Sequence, residues 1–253
     1  MIQDKDILFV TTTLYTKWLG YQQKLLKKYF PDSEQLIVNG TTRWPNVWFD
    51  WIPLLKNYTG KKWLIHLDED CFIQGRDEII TLLEKMESEG WDCAGVPDGM
   101  HHYRGANPVA FNTFFMICDF EKTKNLPIDL NNLQFGFDGQ SWRNNKGVGF
   151  QYSYMSDFKL PFDPPHQQHN FLNEQEPYYY FMWSMKLAGF KFLYLYPHFD
   201  ETFKSTNPRI EKDSPDIAIH MWYTRGWNSN MDVHGLPNVE RYNRVEKNIL
   251  SQI

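Results

Sequence analysis

The chain has 253 residues, 42 % of them hydrophobic and 17 % aromatic, with a formal net charge of −5. That length buries a sizeable core without a disulfide or metal staple, and the acidic balance argues against a large nucleic-acid footprint, which needs Lys and Arg against phosphates. Cys71, Cys93 and Cys118 are odd in number and lack CxxC spacing, which suggests neither a disulfide framework nor a thiolate zinc site and suits a reducing compartment.

No apolar stretch approaches the ~20 residues of a spanning helix, and the start lacks the basic and then apolar pattern of a signal peptide. The sequence therefore reads as cytoplasmic, with any membrane contact peripheral. In chain order, residues 6–13 form an apolar, β-branched run ending in Thr11, Thr12 and Thr13, and 17–30 follow with helical spacing until Pro31. Residues 35–40 read as a short strand, 48–58 as a helix before Gly60, and 62–67 as a buried strand. An amphipathic helix is expected over 77–90, closed by Gly90, and a strand over 91–96. Strand and helix alternation over the first hundred residues argues for a mostly parallel sheet with ligand loops at the carboxyl ends of its strands. Beyond Pro97 the pattern loosens: a buried strand over 107–119, a Gly-, Asn- and aromatic-rich stretch over 134–163, a helix from Pro177 to Leu187, strands over 191–196 and 217–222, and a terminal helix over 239–253. No repeat or low-complexity linker interrupts the chain. It is read as one domain, 1–253, with a donor half to about residue 105 and an acceptor half after it.

Asp68 and Asp70 stand one residue apart at the end of a buried strand, where extended geometry would send both to one side. Hard divalent cations take such oxygens, and Mg²⁺ completes its shell with water and substrate phosphates. The run Trp63-Leu64-Ile65-His66-Leu67-Asp68-Glu69-Asp70 resembles the Asp-x-Asp strand of glycosyltransferases with the GT-A fold. The resemblance extends to the order of elements over most of the chain. It implies a Rossmann-like α/β fold with a mixed, mostly parallel sheet flanked by helices. It also implies transfer of a monosaccharide from a UDP- or GDP-linked donor to a hydroxyl of a glycan or glycoconjugate, as in polysaccharide biosynthesis, aided by Mn²⁺ or Mg²⁺.

Carried onto this chain, the resemblance makes Asp70 the metal ligand, Asp68 a contact to metal or ribose, and Thr11, Thr12 and Thr13 contacts to the nucleotide, with Glu69 turned away. His220, in Ile-Ala-Ile-His-Met-Trp, would supply a third metal ligand, and its imidazole favours Mn²⁺. His66, inside a strand, reads as a core histidine. Arg225 and Lys204 would balance the leaving diphosphate. Glu176, with Glu174 second, would be the base that deprotonates the acceptor in an inverting displacement, although Glu-Gln-Glu-Pro departs from the family's adjacent acidic pair and leaves a retaining outcome open. The loop 98–105, including Arg104, would line the donor sugar. Trp142, Trp183, Trp222 and Trp227 are stacking candidates for the acceptor, Trp222 first. Two rivals are a nucleotidyltransferase, against which stands the missing Gly-rich phosphate loop, and a non-catalytic carbohydrate-binding protein.

Overall fold

Strands whose two faces are both covered need near-continuous apolar runs, and 7–10 and 63–67, broken only by His66, have that character. The computed structural model describes residues 2–14, 16–40, 51–98, 110–127 and 179–253. Its elements are β1 (Ile7–Thr13), α1 (Lys17–Tyr29), β2 (Glu34–Asn39), β3 (Trp63–Asp68), β4 (Cys71–Ile73), α2 (Asp77–Glu89), β5 (Cys93–Pro97) and β6 (Phe111–Asp119). There follow α3 (Phe120–Lys124), α4 (Tyr179–Leu187), β7 (Phe192–Tyr194), β8 (Tyr196–Asp200), β9 (Ser205–Arg209), β10 (Ala218–His220) and α5 (Asn238–Gln252).

The central sheet has the order β2-β1-β3-β6-β5-β7. β6 alone is antiparallel to its neighbours, while β1–β2, β1–β3 and β5–β7 pair in parallel. This is a mixed, mostly parallel α/β sheet flanked by helices. Alternate β1 residues feed two cores. Ile7 and Phe9 pack in a cluster with Trp18 and Leu25 of α1, Leu82 and Met86 of α2 and Val245 of α5. Leu8 and Val10 pack in the other with Trp51, Leu55 and, from α4, Phe181 and Met185. Each such burial contributes roughly 1.5–3 kcal/mol. A second, wholly antiparallel sheet has the order β4-β10-β9-β8.

The local signals hold where they are strongest. Gly90 ends α2 in the left-handed region at φ 72°, and α1 ends before Pro31; its cap, Thr16, which accepts from the Trp18 N–H, is one the sequence reading did not single out. Elsewhere the structure corrects the reading. The expected helix over 48–58 is, in its described part, a 3₁₀ helix at Ile52–Asn57 with Pro53 in its first turn. The expected strand over 191–196 breaks at Leu195, so that β7 joins the central sheet and β8 the second one. The strand expected over 217–222 stops at His220, because Trp222 and Tyr223 adopt positive φ. The stretches 107–109 and 134–163 lie outside the described residues.

A Cβ on Gly95 of β5 would stand 2.7 Å from Phe111 Cγ, and Phe111 is itself backed by Phe192 at 4.6 Å and Tyr194 at 5.2 Å between ring centroids. Gly95→Ala is therefore expected to lower unfolding free energy by about 1–3 kcal/mol in urea titrations. Gly20→Ala on α1, whose Cβ would meet nothing within 4 Å, should be neutral or stabilising by about 0.5–1 kcal/mol.

Candidate functional site

The acidic triplet forms the turn by which the chain leaves the central sheet for the second one. β3 ends at Asp68, Glu69 and Asp70 make the turn, and β4 begins at Cys71. The turn brings Asp68 and Asp70 together, in place of the extended geometry expected. Its backbone is held from α1: the buried Gln22 donates through Nε2 to Asp68 O at 2.7 Å and Cys71 O at 3.0 Å.

Glu69 turns back toward the loop between β1 and α1. Its Oε2 accepts from Thr13 Oγ1 at 2.5 Å and from the Thr16 N–H at 3.3 Å. Burial raises its carboxyl above the usual range, the Asp70 charge adds to this, and the Thr13 hydrogen bond opposes it. Asp70 faces the opposite way. Its Oδ2 accepts from Thr224 Oγ1 and from Tyr242 OH at 3.1 Å, and its Oδ1 lies 3.4 Å from His220 Nε2. Burial alone would raise this carboxyl, but the His220 charge and the hydrogen bonds from His220, Thr224 and Tyr242 outweigh it and hold it below the ordinary carboxylate range.

His220 reaches the site by strand register. As the last residue of β10 it pairs with Cys71, next to Asp70. Its ring stacks on Phe114 at 4.0 Å and 5°, and lies 4.1 Å from the Trp222 ring. Asp68, half-buried, and the buried Asp70 and His220 each offer a ligand atom, and these atoms all lie within 4.8 Å of one another. Two carboxylate oxygens and one imidazole suit Mn²⁺, and the carboxylates alone suit Mg²⁺, so the residues fit the divalent cation that the sequence implies.

The three threonines are placed differently from one another. Thr11 is buried, donates to Gln22 Oε1 at 2.8 Å and accepts from Gln35 Nε2 at 2.9 Å; Thr13 is spent on Glu69. Thr12, half-buried, stands opposite Asp68 in the β1–β3 register and lies 3.2 Å from His66 Nε2. His66 directs Nδ1 at Thr113 O, 2.7 Å away, so that nitrogen donates and Nε2 accepts from Thr12. Burial, against the pull of that Thr113 hydrogen bond, lowers the His66 pKa to about 4 and leaves the ring neutral at pH 7.

Arg225 is exposed on the 3₁₀ turn Thr224–Gly226, one residue beyond the Thr224 that donates to Asp70. Lys204 is bound up with Glu201 at 2.5 Å. Neither stacking tryptophan that the structure describes is a bare platform. Trp222 packs on His220 and donates to Thr206 Oγ1 at 3.0 Å, and Trp227 packs edge-on to Trp18 at 5.7 Å beneath Lys17 Nζ at 4.5 Å. Asp98 is buried and accepts from Asn112 Nδ2 at 2.6 Å. Arg104, Trp142, Glu174, Glu176 and the Trp183 side chain lie outside the described residues. Sequence reasoning passed over Gln22, Thr224 and Tyr242, which meet the turn from 46, 154 and 172 residues away.

No protein-family model matches the chain, and no curated protein matches its sequence. Solved structures that resemble it loosely include a glycosyltransferase involved in glycosylation of the major capsid of PBCV-1, at 12 % identity over 60 % of this chain and 75 % of that one, with a TM-score of 0.39. The mannosyltransferase PcManGT from Pyrobaculum calidifontis, in complex with GDP-Man and Mn²⁺, is 10 % identical over 48 % of this chain and 46 % of that one, with a TM-score of 0.37. A cytidylyltransferase from Leptospira borgpetersenii is 12 % identical over 96 % and 93 %, with a TM-score of 0.36. Such likenesses concern the path of the chain and say nothing of its chemistry. No helix among the described residues is long and apolar enough to cross a membrane.

Because His66 falls from 6.5 to about 4 on folding, the unfolded chain takes up its proton more readily between those pH values. Stability is thus expected to fall as pH drops from 6.5 toward 4, by up to about 3 kcal/mol from this group. His66→Asn, which keeps a donor for Thr113 O, should show a shallower loss of melting temperature between pH 7 and pH 5; equal slopes would remove His66 as the cause.

Proposed function

We propose that this chain is a glycosyltransferase that uses a nucleotide diphosphate sugar and passes its monosaccharide to a hydroxyl of a glycan or glycoconjugate. The supporting observation is the convergence of Asp68, Asp70 and His220, from a strand end, a turn and a distant strand, with ligand atoms within 4.8 Å of one another. Such a cluster at the carboxyl end of a parallel strand is where α/β sheets bind ligands. In this reading the three residues hold Mn²⁺ or Mg²⁺, which when bound would neutralise charge on the departing diphosphate.

The remaining roles follow from placement. Asp68 is the half-buried member of the cluster and the one open to a donor. Thr12, its half-buried neighbour in register, is the threonine at the rim to meet the nucleotide, since Thr11 and Thr13 are buried; its hydroxyl proton goes to His66 Nε2 and its oxygen is left to accept. Arg225 and Arg104 supply positive charge for the diphosphate. Glu176, or Glu174 in its place, takes the proton of the acceptor hydroxyl in an inverting displacement. We assign the donor to the half of the chain before residue 105 and the acceptor to the half after it.

The test needs no acceptor. Purified protein is incubated with a panel of UDP-, GDP-, dTDP- and CMP-sugars in Mn²⁺, Mg²⁺ or EDTA, and slowly released nucleotide is measured. Metal-dependent release of a nucleoside diphosphate from one donor, cut at least ~100-fold by Asp70→Ala, is expected, since that change removes a ligand outright. Synthesis of a nucleotide sugar from a nucleoside triphosphate and a sugar phosphate would favour a nucleotidyltransferase. Absence of release, and of any thermal shift with nucleotide, would overturn the transferase reading.

A further inference from the structure

Between His220 and the 3₁₀ turn at 224–226 the backbone passes through two successive left-handed residues, Trp222 at φ 58° and Tyr223 at φ 63°. Bulky L-residues avoid this region, and two in a row persist only where the surroundings over-determine them. Here they do. Arg241 donates through Nη2 to Met221 O, Tyr242 OH lies 3.0 Å from Trp222 O, and Asn238 Nδ2 donates to Tyr223 O at 3.2 Å. Three consecutive carbonyls are each gripped by a side chain from the first five residues of α5. Arg241, fully buried, also donates to Phe203 O, Lys204 O and Asn238 Oδ1, at 3.2, 2.7 and 2.6 Å.

The kink sends successive side chains in opposed directions. Trp222 packs on the His220 ring, Tyr223 goes to solvent, and Thr224 donates to Asp70 Oδ2. Tyr242 OH shares its one proton between Trp222 O and Asp70 Oδ2, at 3.0 and 3.1 Å. Both hydroxyls meet the same carboxylate oxygen, and the other, Oδ1, is on the side of His220 Nε2.

We propose that Asn238, Arg241 and Tyr242 are positioning residues for the cation site: by fixing the 221–224 kink they commit Asp70 Oδ2 to Thr224 and Tyr242 and present Oδ1 beside His220. This rests on the cation reading given above. Partners that orient a ligand without touching the metal typically alter affinity 10–100-fold when removed. A purely structural clamp would alter stability alone.

The test is an electron paramagnetic resonance titration of the full chain with Mn²⁺, alone and with UDP or GDP present, beside the melting temperature of each variant. Tyr242→Phe, Thr224→Val and Asn238→Ala are expected to weaken Mn²⁺ binding about 10-fold or more while still melting cooperatively, and Thr224→Ser to restore it. Asn238 is the discriminating site, because among its hydrogen bonds none involves Asp70 or His220. If wild type binds Mn²⁺, Asp70→Ala abolishes this, and these three variants bind as wild type does, the positioning role is overturned and the cation site stands. Weakening that merely tracks lost folded protein, with no rescue by Thr224→Ser, overturns it equally. If wild type itself fails to bind Mn²⁺ under every condition, the cation reading fails and the inference with it.

Discussion

Three acidic side chains in a row cannot share one direction in a folded chain without repelling each other, and the turn at 68–70 separates them. Asp68 keeps partial access to solvent, Glu69 is drawn back under the hydroxyl of Thr13, and Asp70 is drawn forward by Thr224, Tyr242 and His220. The surrounding fold is arranged around that division. The end of β1 and the loop into α1 supply the partners of Glu69, and the 218–242 segment supplies those of Asp70. The turn is also one of two places, with Leu195, where the chain passes directly from the central sheet to the second.

The two buried carboxyls of the turn are shifted in opposite senses because their surroundings differ in kind. Glu69 accepts from the Thr13 hydroxyl and from backbone N–H groups, but burial beside the like charge of Asp70 outweighs them and raises its pKa. Asp70 is no less buried but has two hydroxyl donors and an imidazole, which favour the anion. Shifts in opposite senses ease the repulsion that two adjacent buried charges would bring. The arrangement keeps negative charge on the side of His220, where the cation cluster is.

Most of the central sheet was legible in the sequence because burial on both faces leaves continuous apolar runs, as at 7–10 and 63–65, and because Pro31 and Gly90 mark helix ends. β4, β8 and β9 were not. Cys71–Ile73 is too short to show a period, Ser205–Arg209 contains Pro208, and Tyr196–Asp200 follows β7 with one residue between, so the change of sheet leaves no composition signal. The cluster of Asp68, Asp70 and His220 was within reach of sequence reasoning because acids at a strand end and a histidine in an apolar strand stand out. Thr224 and Tyr242 did not stand out, since a hydroxyl that meets a carboxylate from 154 or 172 residues away looks like any other. Of the aromatic candidates, Trp222 and Trp227 are half-buried and pack on His220 and Trp18.

Gln22 shows how narrow the tolerance around such a turn becomes. Its Oε1 accepts from Thr11 and Gln35 while its Nε2 donates to two carbonyls of the turn, so every hydrogen-bonding valence of the amide is filled and its orientation is fixed by its neighbours. Glutamate has the same shape but would set an oxygen against two carbonyl oxygens, and leucine would leave those carbonyls, and the Thr11 hydroxyl, without their partner. In lineages that keep the acidic turn, position 22 should drift less than the apolar residues around it, which can exchange one hydrocarbon shape for another.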